Sequence, residues 1–301
     1  MTRISAVLVA YSPAAGQLAR AISAIVFQVD RVFVVCNSTI DDSQMPEGIE
    51  DKLEVIRNPT NIGLAAAQNI GLRRCVDQNA DFVLFLDQDS IAPADMVERL
   101  LAIYRRLTYA GTRVAAVAPL LVDADTGDEW PFLSTRWIHT HQTATPDEHG
   151  ACAADFLYSS GSIVTMAAFL RVGGFIESLF IDHVDLEWCM RARTNGYLCF
   201  GAPGVRMLHR MGSGHVRMFG RHHAIHAAAR DYYVFRNSIS LMKLPYIPLR
   251  WKLNEAVRLI PRALFYSALH PKPLSHFAAC LSGIRAGFRM RPLEPGQPIH
   301  G

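Results

Sequence analysis

The sequence lacks several features that would indicate other classes of protein. Its six cysteines form no C-x-x-C pair and have no accompanying His cluster, which argues against a zinc site or a redox motif. No apolar run reaches about 18 residues, so a membrane-spanning helix is not expected. The formal net charge of +3 is too small to indicate a nucleic-acid partner. The chain also has no internal repeat and no low-complexity segment.

The chain does have enough apolar material for a sizeable core. Half of its 301 residues are hydrophobic and 19% are charged, which predicts a folded protein. The first apolar run, residues 4–10, is too short for the core of a signal peptide and predicts a first strand. Because scattered cysteines fit a reducing compartment, we expect a cytoplasmic protein.

Short apolar runs alternate with helical patterns through the first half of the chain. The runs that predict strands cover residues 4–10, 32–35, 53–56, 82–86 and 114–118. Helical spacing covers residues 18–29, 64–76, a stretch from about Pro93, and 184–194. This alternation predicts an α/β fold with a mostly parallel sheet, interrupted by a polar insertion at residues 123–155. Ligands of such sheets bind beyond the carboxyl ends of the strands, so the residues that close each strand are the functional candidates.

The acidic triplet Asp87-Gln88-Asp89 closes the strand predicted over residues 82–86. Residues two apart in extended backbone point to the same side, so the two carboxylates would lie close and repel. A hard divalent cation shared with substrate phosphates would relieve that repulsion. The pattern is short, and Asp123-Ala124-Asp125 repeats it in a polar stretch. We interpret the second copy as a solvated turn.

A second motif, residues 58–71, begins as a loop after a strand and continues into a predicted helix. Asn58 and Asn61 could cap this helix and also contact a ligand. Small residues in the motif would let the helix approach the sheet closely. Capping and packing alone explain the motif equally well.

Residues 180–191 contain the densest acidic group, with three acids and a histidine within six residues. Asp182 and Asp185 would share one face of a helix. A carboxylate at this place could accept the proton of an attacking hydroxyl. Alternatively, the acids cap the helix and complement its dipole, and the spacing alone slightly favours this simpler account.

Two further residues are candidates on their chemistry. His209 follows an apolar run and could be a third metal ligand beside the acids, although a lone histidine among 12 is more often structural. Arg236 carries a guanidinium that suits diphosphate oxygens, or else lies exposed on an amphipathic helix.

Taken in order, these motifs resemble the family 2 glycosyltransferases of the GT-A fold, and within them the bacterial rhamnosyltransferase branch. The resemblance covers roughly residues 3–240 and is carried by residues 9–11, 58–71, 87–89, 160–162, 173–175, 180–191 and 233–237. The Asp-Gln-Asp triplet and the string Phe-Ile-Asp-x-Val-Asp-x-Glu-Trp point to the rhamnosyl branch.

The resemblance implies inverting transfer of L-rhamnose from dTDP-L-rhamnose to a glycan or polyprenyl-linked acceptor, as in O-antigen biosynthesis. It implies Mg²⁺ or Mn²⁺ held by Asp87, Asp89 and His209, with Asp89 the more direct ligand. It also implies a carboxylate base, for which we favour Asp182 and then Asp185. The residues expected to contact the donor are Tyr11, Asn37, Asn61, Asp87, Asp89, Arg191 and Arg236.

Two positions depart from the family pattern. His183 stands where many members have an aspartate in the base motif, which leaves the choice between Asp182 and Asp185 open. Cys36 stands where many members have an aspartate that reads the nucleobase. That contact is expected instead from Tyr11, Asn37 or Asp41.

Charge divides the chain into two parts. Residues 1–237 carry 21 Lys or Arg against 25 Asp or Glu, whereas residues 238–301 carry nine against two. We therefore expect a GT-A domain over residues 1–237 and a basic helical extension over residues 238–301. The extension either lies peripherally on the anionic inner face of the membrane, or packs on the body or in a homo-oligomer contact. The sequence does not choose between these alternatives.

Three other functions compete with this one. A transferase of another sugar, of the UDP-glucose or UDP-galactose type, would differ in which nucleotide sugar it hydrolyses or transfers. A sugar nucleotidyltransferase would need a Gly-rich basic loop after the first strand, but residues 11–16 contain no Lys or Arg. A non-catalytic scaffold would not need the intact acids of both motifs.

Overall fold

The structure is a computed structural model that describes residues 2–136, 139–143, 145–210, 215–218, 221–224 and 226–294. The end of the predicted extension, residues 295–301, lies outside the described residues. The strands are β1 (Ile4–Ala10), β2 (Arg31–Cys36), β3 (Leu53–Arg57), β4 (Phe82–Asp87), β5 (Ser90–Ile91), β6 (Val114–Asp123), β7 (Glu129–Trp130), β8 (Phe132–Arg136), β9 (His139–Thr143), β10 (Cys152–Ala154), β11 (Ile163–Thr165), β12 (Leu198–His209), β13 (His215–Met218) and β14 (Arg221–Ala224). The α-helices are α1 (Gln17–Ile25), α2 (Leu64–Asp77), α3 (Met96–Tyr109), α4 (Met166–Val172), α5 (Val184–Thr194), α6 (Ala228–Met242), α7 (Leu249–Ala268) and α8 (Pro273–Arg289).

One mixed, ten-stranded sheet forms the centre of the molecule, which confirms the predicted α/β class. The strands β3, β2, β1 and β4 are neighbours and run parallel. The short strand β11 then lies antiparallel between β4 and β6, and β6 pairs in parallel with β12. All five strands predicted from apolar runs belong to this sheet, and the polar insertion contains the short strands β7 to β10.

Both faces of the sheet are covered, which explains why its strands are apolar throughout. Alternate residues point to opposite faces, so Val7, Phe33 and Phe85 pack with α2, α4 and α5. Leu8 and Leu84 face the other way and pack with α1 and α3. The sheet is thereby held rigid, and its carboxyl edge is a stable platform for side chains.

The start of α2 differs from the prediction. The N-cap residue is Gly63, at a φ of 88°, and no side chain caps the helix. Asn61 Oδ1 instead accepts from the Gly63 N–H at 2.9 Å, within the preceding turn. Asn58 donates to Asn37 Oδ1 at 2.9 Å, outside the helix. A side chain at residue 63 would collide with Phe180, so a glycine is needed here both for its backbone angle and for the close packing.

The last three helices pack closely against one another. Gly283 and Gly287 of α8 lie against α6, where a Cβ on Gly283 would overlap the carbonyl oxygen of Tyr232 and a Cβ on Gly287 would lie 2.7 Å from that of Arg236. The predicted domain boundary at residue 237 falls inside α6, and the division into two domains stays a prediction. Among the described residues, no helix combines the length and apolar content needed to cross a bilayer.

This close packing predicts that Gly283→Ala destabilises the protein. The added methyl group must displace helix backbone, which costs about 1–3 kcal/mol of overpacking and exceeds the gain in helix propensity. We expect the thermal unfolding midpoint to fall by roughly 2–8 °C in a calorimetric scan. Ser282→Ala, at the exposed neighbouring position, is the control and should leave the midpoint unchanged or slightly higher. A midpoint at or above wild type for Gly283→Ala would contradict the close packing of α8 on α6.

Candidate active site

The three predicted metal ligands meet at the carboxyl edge of the sheet. Asp87 ends β4, and three residues later β5 begins and pairs with the end of β12, which places Ser90 opposite His209. The potential ligand atoms of Asp87, Asp89 and His209 all lie within 4.8 Å of one another. We call these three residues the carboxylate–His group. Its assembly depends on the return of β12 to the end of β4.

The electrostatics of the carboxylate–His group favour a cation. Asp89 Oδ1 is buried and makes no hydrogen bond, although His209 Nδ1 lies 3.3 Å away, because Nδ1 is bonded to Ser90 Oγ at 2.9 Å. Burial raises the pKa of Asp89 to about 6, His209 opposes this rise, and the neighbouring Asp87 adds to it. An unpaired buried carboxylate oxygen beside a second carboxylate and an imidazole is a donor set that fits a divalent cation.

The middle residue of the triplet has a role that the sequence analysis missed. Gln88 accepts from the Tyr11 N–H at 2.7 Å and donates to the Tyr11 carbonyl at 3.0 Å, which ties the end of β1 to the end of β4. The Tyr11 side chain is 53% exposed beside the carboxylate–His group. The structure therefore leaves Tyr11 free to contact a ligand.

The second acidic copy, residues 123–125, is a turn as predicted. Asp123 accepts from the N–H groups of Asp125 and Thr126, each at 2.9 Å, and Asp125 pairs with Arg210. The expected solvation was wrong for Asp123, which is buried because its carboxylate closes the turn against the sheet.

The predicted acidic string forms a tight turn before α5. Phe180, Asp182 and His183 all adopt positive φ, at 65°, 62° and 62°. Asn237 of α6 donates to the carbonyl oxygens of residues 179, 181 and 182 at 2.8–2.9 Å. Such strained backbone persists only where its surroundings hold it, and it concentrates at functional sites. We call residues 180–185 the acidic turn.

Asp182 is bound by an arginine that the sequence analysis did not single out. The Arg230 Nε lies 3.0 Å from Asp182 Oδ2 and its Nη2 lies 2.9 Å from Oδ1. Burial lowers the pKa of Arg230, the carboxylates of Asp182 and Asp87 raise it, and the net direction is upward. Arg230 is therefore a cation between the two acidic groups. The only sequence signal for it was an arginine six residues before Arg236 in the same helix.

Asp185 lies in a different environment. Its Oδ2 accepts from the Ser159 N–H at 3.2 Å and its Oδ1 from the Leu186 N–H at 2.9 Å. Burial is the main reason that its pKa rises to about 6. Ser160, the residue after Ser159, forms a hydrogen bond with Ser90 Oγ at 2.6 Å, and its hydroxyl accepts from the Asp87 N–H. Residues 159–160 thus connect the acidic turn to the carboxylate–His group.

His183, which replaces an aspartate of the family motif, contacts the C-terminal helices. Its Nε2 lies 3.4 Å from Ser238 Oγ, and Ser238 in turn bonds Glu255 of α7. Burial lowers the pKa of His183. These contacts give His183 a structural place between α5, α6 and α7.

The structure corrects the prediction for three expected donor contacts. Arg191 is 4% exposed and donates to Glu187 and to two backbone carbonyls, so it cannot reach a ligand. Asn37 is 3% exposed, and its side chain donates to the Gly63 carbonyl and accepts from the Asn58 side chain. The Arg236 Nη2 donates to the carbonyl oxygens of residues 178 and 179, which supports the acidic turn in place of a diphosphate. Asn61 is exposed, and its contact with the donor stays a prediction.

A second cluster of potential ligands lies among the C-terminal helices. His276 Nδ1 bonds Asp231 at 2.6 Å, and its ring stacks on His270 with centroids 3.6 Å apart and an angle of 13°. Two stacked imidazoles cannot both direct a nitrogen at one ion in their ring planes unless a ring rotates. We interpret this cluster as a contact between helices.

Comparison with known proteins agrees with this geometry. Residues 5–158 match the family described as glycosyl transferase family 2. The dTDP-rhamnosyl transferase RfbF of Shigella flexneri is 30% identical over 295 residues, which cover 94% of this chain and 96% of that protein. The chain belongs to glycosyl transferase family 2. It is therefore a glycosyltransferase, and it is similar to a rhamnosyltransferase.

More distant proteins are similar in sequence or in fold. The low-salt glycan biosynthesis hexosyltransferase Agl10 of Haloferax volcanii is 22% identical over 269 residues, 87% of this chain and 84% of that protein. Two solved structures are similar at 14% identity. GalNAc-T7 with UDP, GalNAc and Mn²⁺ has a TM-score of 0.55 over 91% of this chain and 58% of that chain. TarS 1–349 of S. aureus has a TM-score of 0.54 over 96% of this chain and 90% of that chain. These likenesses confirm the GT-A fold.

The carboxylate–His group predicts pH-dependent binding of Mn²⁺. At pH 7.5, Mn²⁺ at roughly 1 mM should raise the thermal midpoint of this glycosyltransferase by mass action. The rise should shrink at pH 5.5, because Asp89 with a pKa of about 6 is then largely protonated. Asp89→Asn should show no rise, whereas Asp125→Asn, in the second acidic copy, should respond like wild type. An equal rise in Asp89→Asn would contradict the assignment.

The raised pKa of Asp89 also predicts how the stability of the metal-free protein changes with pH. The folded-state pKa of Asp89 lies above its ordinary value of 3.8, so the folded chain holds this proton more tightly than the unfolded chain. The stability contributed by Asp89 is therefore lost as the pH rises through about 6. Asp89→Asn should remove that loss, so its midpoint at pH 7.5 without metal should equal or exceed that of wild type.

Proposed function

We propose that this chain is an inverting, metal-dependent transferase of L-rhamnose from dTDP-L-rhamnose. The acceptor is a glycan or polyprenyl-linked saccharide of a surface polysaccharide such as O-antigen, made at the cytoplasmic face of the inner membrane. The observation that carries the proposal is the joining of the carboxylate–His group to the acidic turn through residues 159–160. Its support is the 30% identity, over almost the whole chain, to a protein named as a dTDP-rhamnosyl transferase.

The carboxylate–His group is the proposed site of donor activation. Asp87, Asp89 and His209 would hold Mg²⁺ or Mn²⁺, and the bound ion would neutralise charge on the departing diphosphate. Gln88 keeps Tyr11 beside this group, so the Tyr11 ring is the proposed contact for the nucleobase or sugar. Arg230, rather than Arg236, is the proposed arginine for the diphosphate, because its charge interacts with Asp87.

The acidic turn is the proposed source of the base. In an inverting transfer, the acceptor hydroxyl attacks the anomeric carbon from the side opposite the diphosphate, and a carboxylate takes its proton. We retain Asp182 as that base, since among the described residues its two oxygens are held by the side chain of Arg230 alone. Asp185 stays the alternative, because its raised pKa suits a base. It is the second choice because both of its oxygens already accept backbone N–H groups.

A donor panel tests the proposal directly. We expect the purified enzyme with Mn²⁺ to bind and slowly hydrolyse dTDP-L-rhamnose, and to prefer it at least about tenfold over UDP-glucose and UDP-galactose in kcat/KM. Nucleotide release measured by chromatography gives both values. Asp89→Ala should abolish the reaction while the circular dichroism spectrum stays that of wild type. Preference for a UDP-sugar would show that the donor is a UDP-hexose and not dTDP-L-rhamnose. Full activity of Asp89→Ala would refute the metal-dependent mechanism.

Amide variants distinguish the two candidate bases. Asp182→Asn should lower kcat for transfer by roughly 10²–10⁴-fold and leave the donor KM nearly unchanged, because a base acts on the acceptor proton. Asp185→Asn should lower kcat less than about tenfold, the effect of a lost supporting hydrogen bond. The exposed acid Glu98 of α3 supplies the control, Glu98→Gln, with wild-type kinetics expected. If Asp185→Asn causes the larger loss, the base is Asp185.

A further inference from the structure

The helix α7 carries a row of large aliphatic side chains on its solvent side. Their sequence spacing of three or four residues places them on one face of the helix. The exposed fractions run from 54% to 76% in the row formed by Leu249, Leu253, Val257, Ile260 and Leu264. The opposite face, including Leu259 and Ala263, packs with α6 and α8 in a separate apolar cluster. We call the exposed residues the α7 row.

The exposed charged side chains of α7 itself are all basic. Arg250 and Arg258 are exposed on the same helix. The only acid of α7 is Glu255, which is 8% exposed and bound to Ser238 and Arg262. Residues 238–294 contain nine Lys or Arg against two acids in all. An apolar row bordered by cations and without exposed acids is complementary to acyl chains beneath anionic headgroups.

We propose that the α7 row is a docking surface for an anionic phospholipid membrane. The aliphatic side chains enter the boundary between headgroups and acyl chains, and Arg250 and Arg258 contact lipid phosphates. A second copy of the chain fits this surface less well. Two copies meeting through the row would bring the arginines of both helices together, and the exposed side of α7 offers no carboxylate to pair with them.

Docking through α7 would also orient the active site. The inner face of α7 reaches the acidic turn, since Glu255 bonds Ser238 and Ser238 contacts His183, the neighbour of Asp182. A helix with its side chains is about 10 Å thick, so the acidic turn would lie on the order of one helix diameter from the membrane surface. The benefit for a polyprenyl-linked acceptor rests on the proposed function, whereas the docking itself does not.

Flotation of the full-length chain with lipid vesicles tests the proposal. We expect the chain to float with vesicles containing phosphatidylglycerol, to bind phosphatidylcholine vesicles at least about tenfold more weakly, and to lose affinity as salt rises. The double variant Leu253→Glu, Ile260→Glu should weaken binding to phosphatidylglycerol by at least about tenfold. Arg250→Glu with Arg258→Glu should remove the preference for anionic lipid.

The matched control is Leu170→Glu on α4, because Leu170 is 53% exposed and Leu253 is 54% exposed. This variant should float like wild type, and thermal midpoints should confirm that all of the variants fold. Absence of wild-type flotation, or equal losses in the control and the α7 variant, would overturn the proposal. The proposal would also be overturned if light scattering showed a wild-type dimer that the double variant Leu253→Glu, Ile260→Glu dissociates, while flotation of that variant is unchanged. Donor hydrolysis without vesicles should be the same in wild type and the α7 variant, which separates this test from that of the donor.

Discussion

The candidate active site depends on the amide of Asn237. Three residues of the acidic turn have positive φ without being glycine, and each such residue costs about 1–2 kcal/mol. The buried Asn237 amide has two N–H groups and lies 2.8–2.9 Å from the carbonyl oxygens of residues 179, 181 and 182, and each hydrogen bond that it donates returns roughly 1 kcal/mol. These hydrogen bonds offset part of that cost, so the turn depends on α6 as well as on its own residues. Without that clamp, the direction of the Asp182 side chain would not be defined.

Because α6 holds the turn, it unites parts of the chain that the sequence separates. It supplies Arg230 to Asp182, Asn237 and Arg236 to the turn, and Ser238 to His183 and Glu255. Its other side receives Gly283 and Gly287 of α8 at backbone contact distance. The basic C-terminal helices therefore support the site mechanically, whatever surface they contact outside. The charge difference along the chain reveals their composition but not this role.

The sequence predicts those features of the fold that follow from local patterns. Continuous apolar runs indicate strands buried on both faces, and the end of β4 makes Asp87 and Asp89 candidate site residues. The direction of β11 could not be predicted, because a three-residue strand carries no directional signal. The pairing of His209 with Ser90 depends on a two-residue strand that has no pattern at all. The partners of the arginines were not predicted from the sequence either. For Arg191, however, the position of Glu187 four residues earlier was a local signal for the buried ion pair between them.

The ion pair of Asp182 with Arg230 bears on how such a site could control its chemistry. Both oxygens of Asp182 are occupied by the Arg230 guanidinium, which leaves them less open to a hydrogen bond from an acceptor hydroxyl. The proposed donor brings a diphosphate, which is a competing anion for Arg230. As Arg230 turned toward that diphosphate, Asp182 would lose its partner, so its oxygens would be open to the acceptor hydroxyl only when donor is bound. Asp185, held by backbone N–H groups of Ser159 and Leu186, has no comparable side-chain partner within the described part of the chain. The difference between a mobile side-chain partner and fixed backbone donors is the physical reason to favour Asp182 as the base.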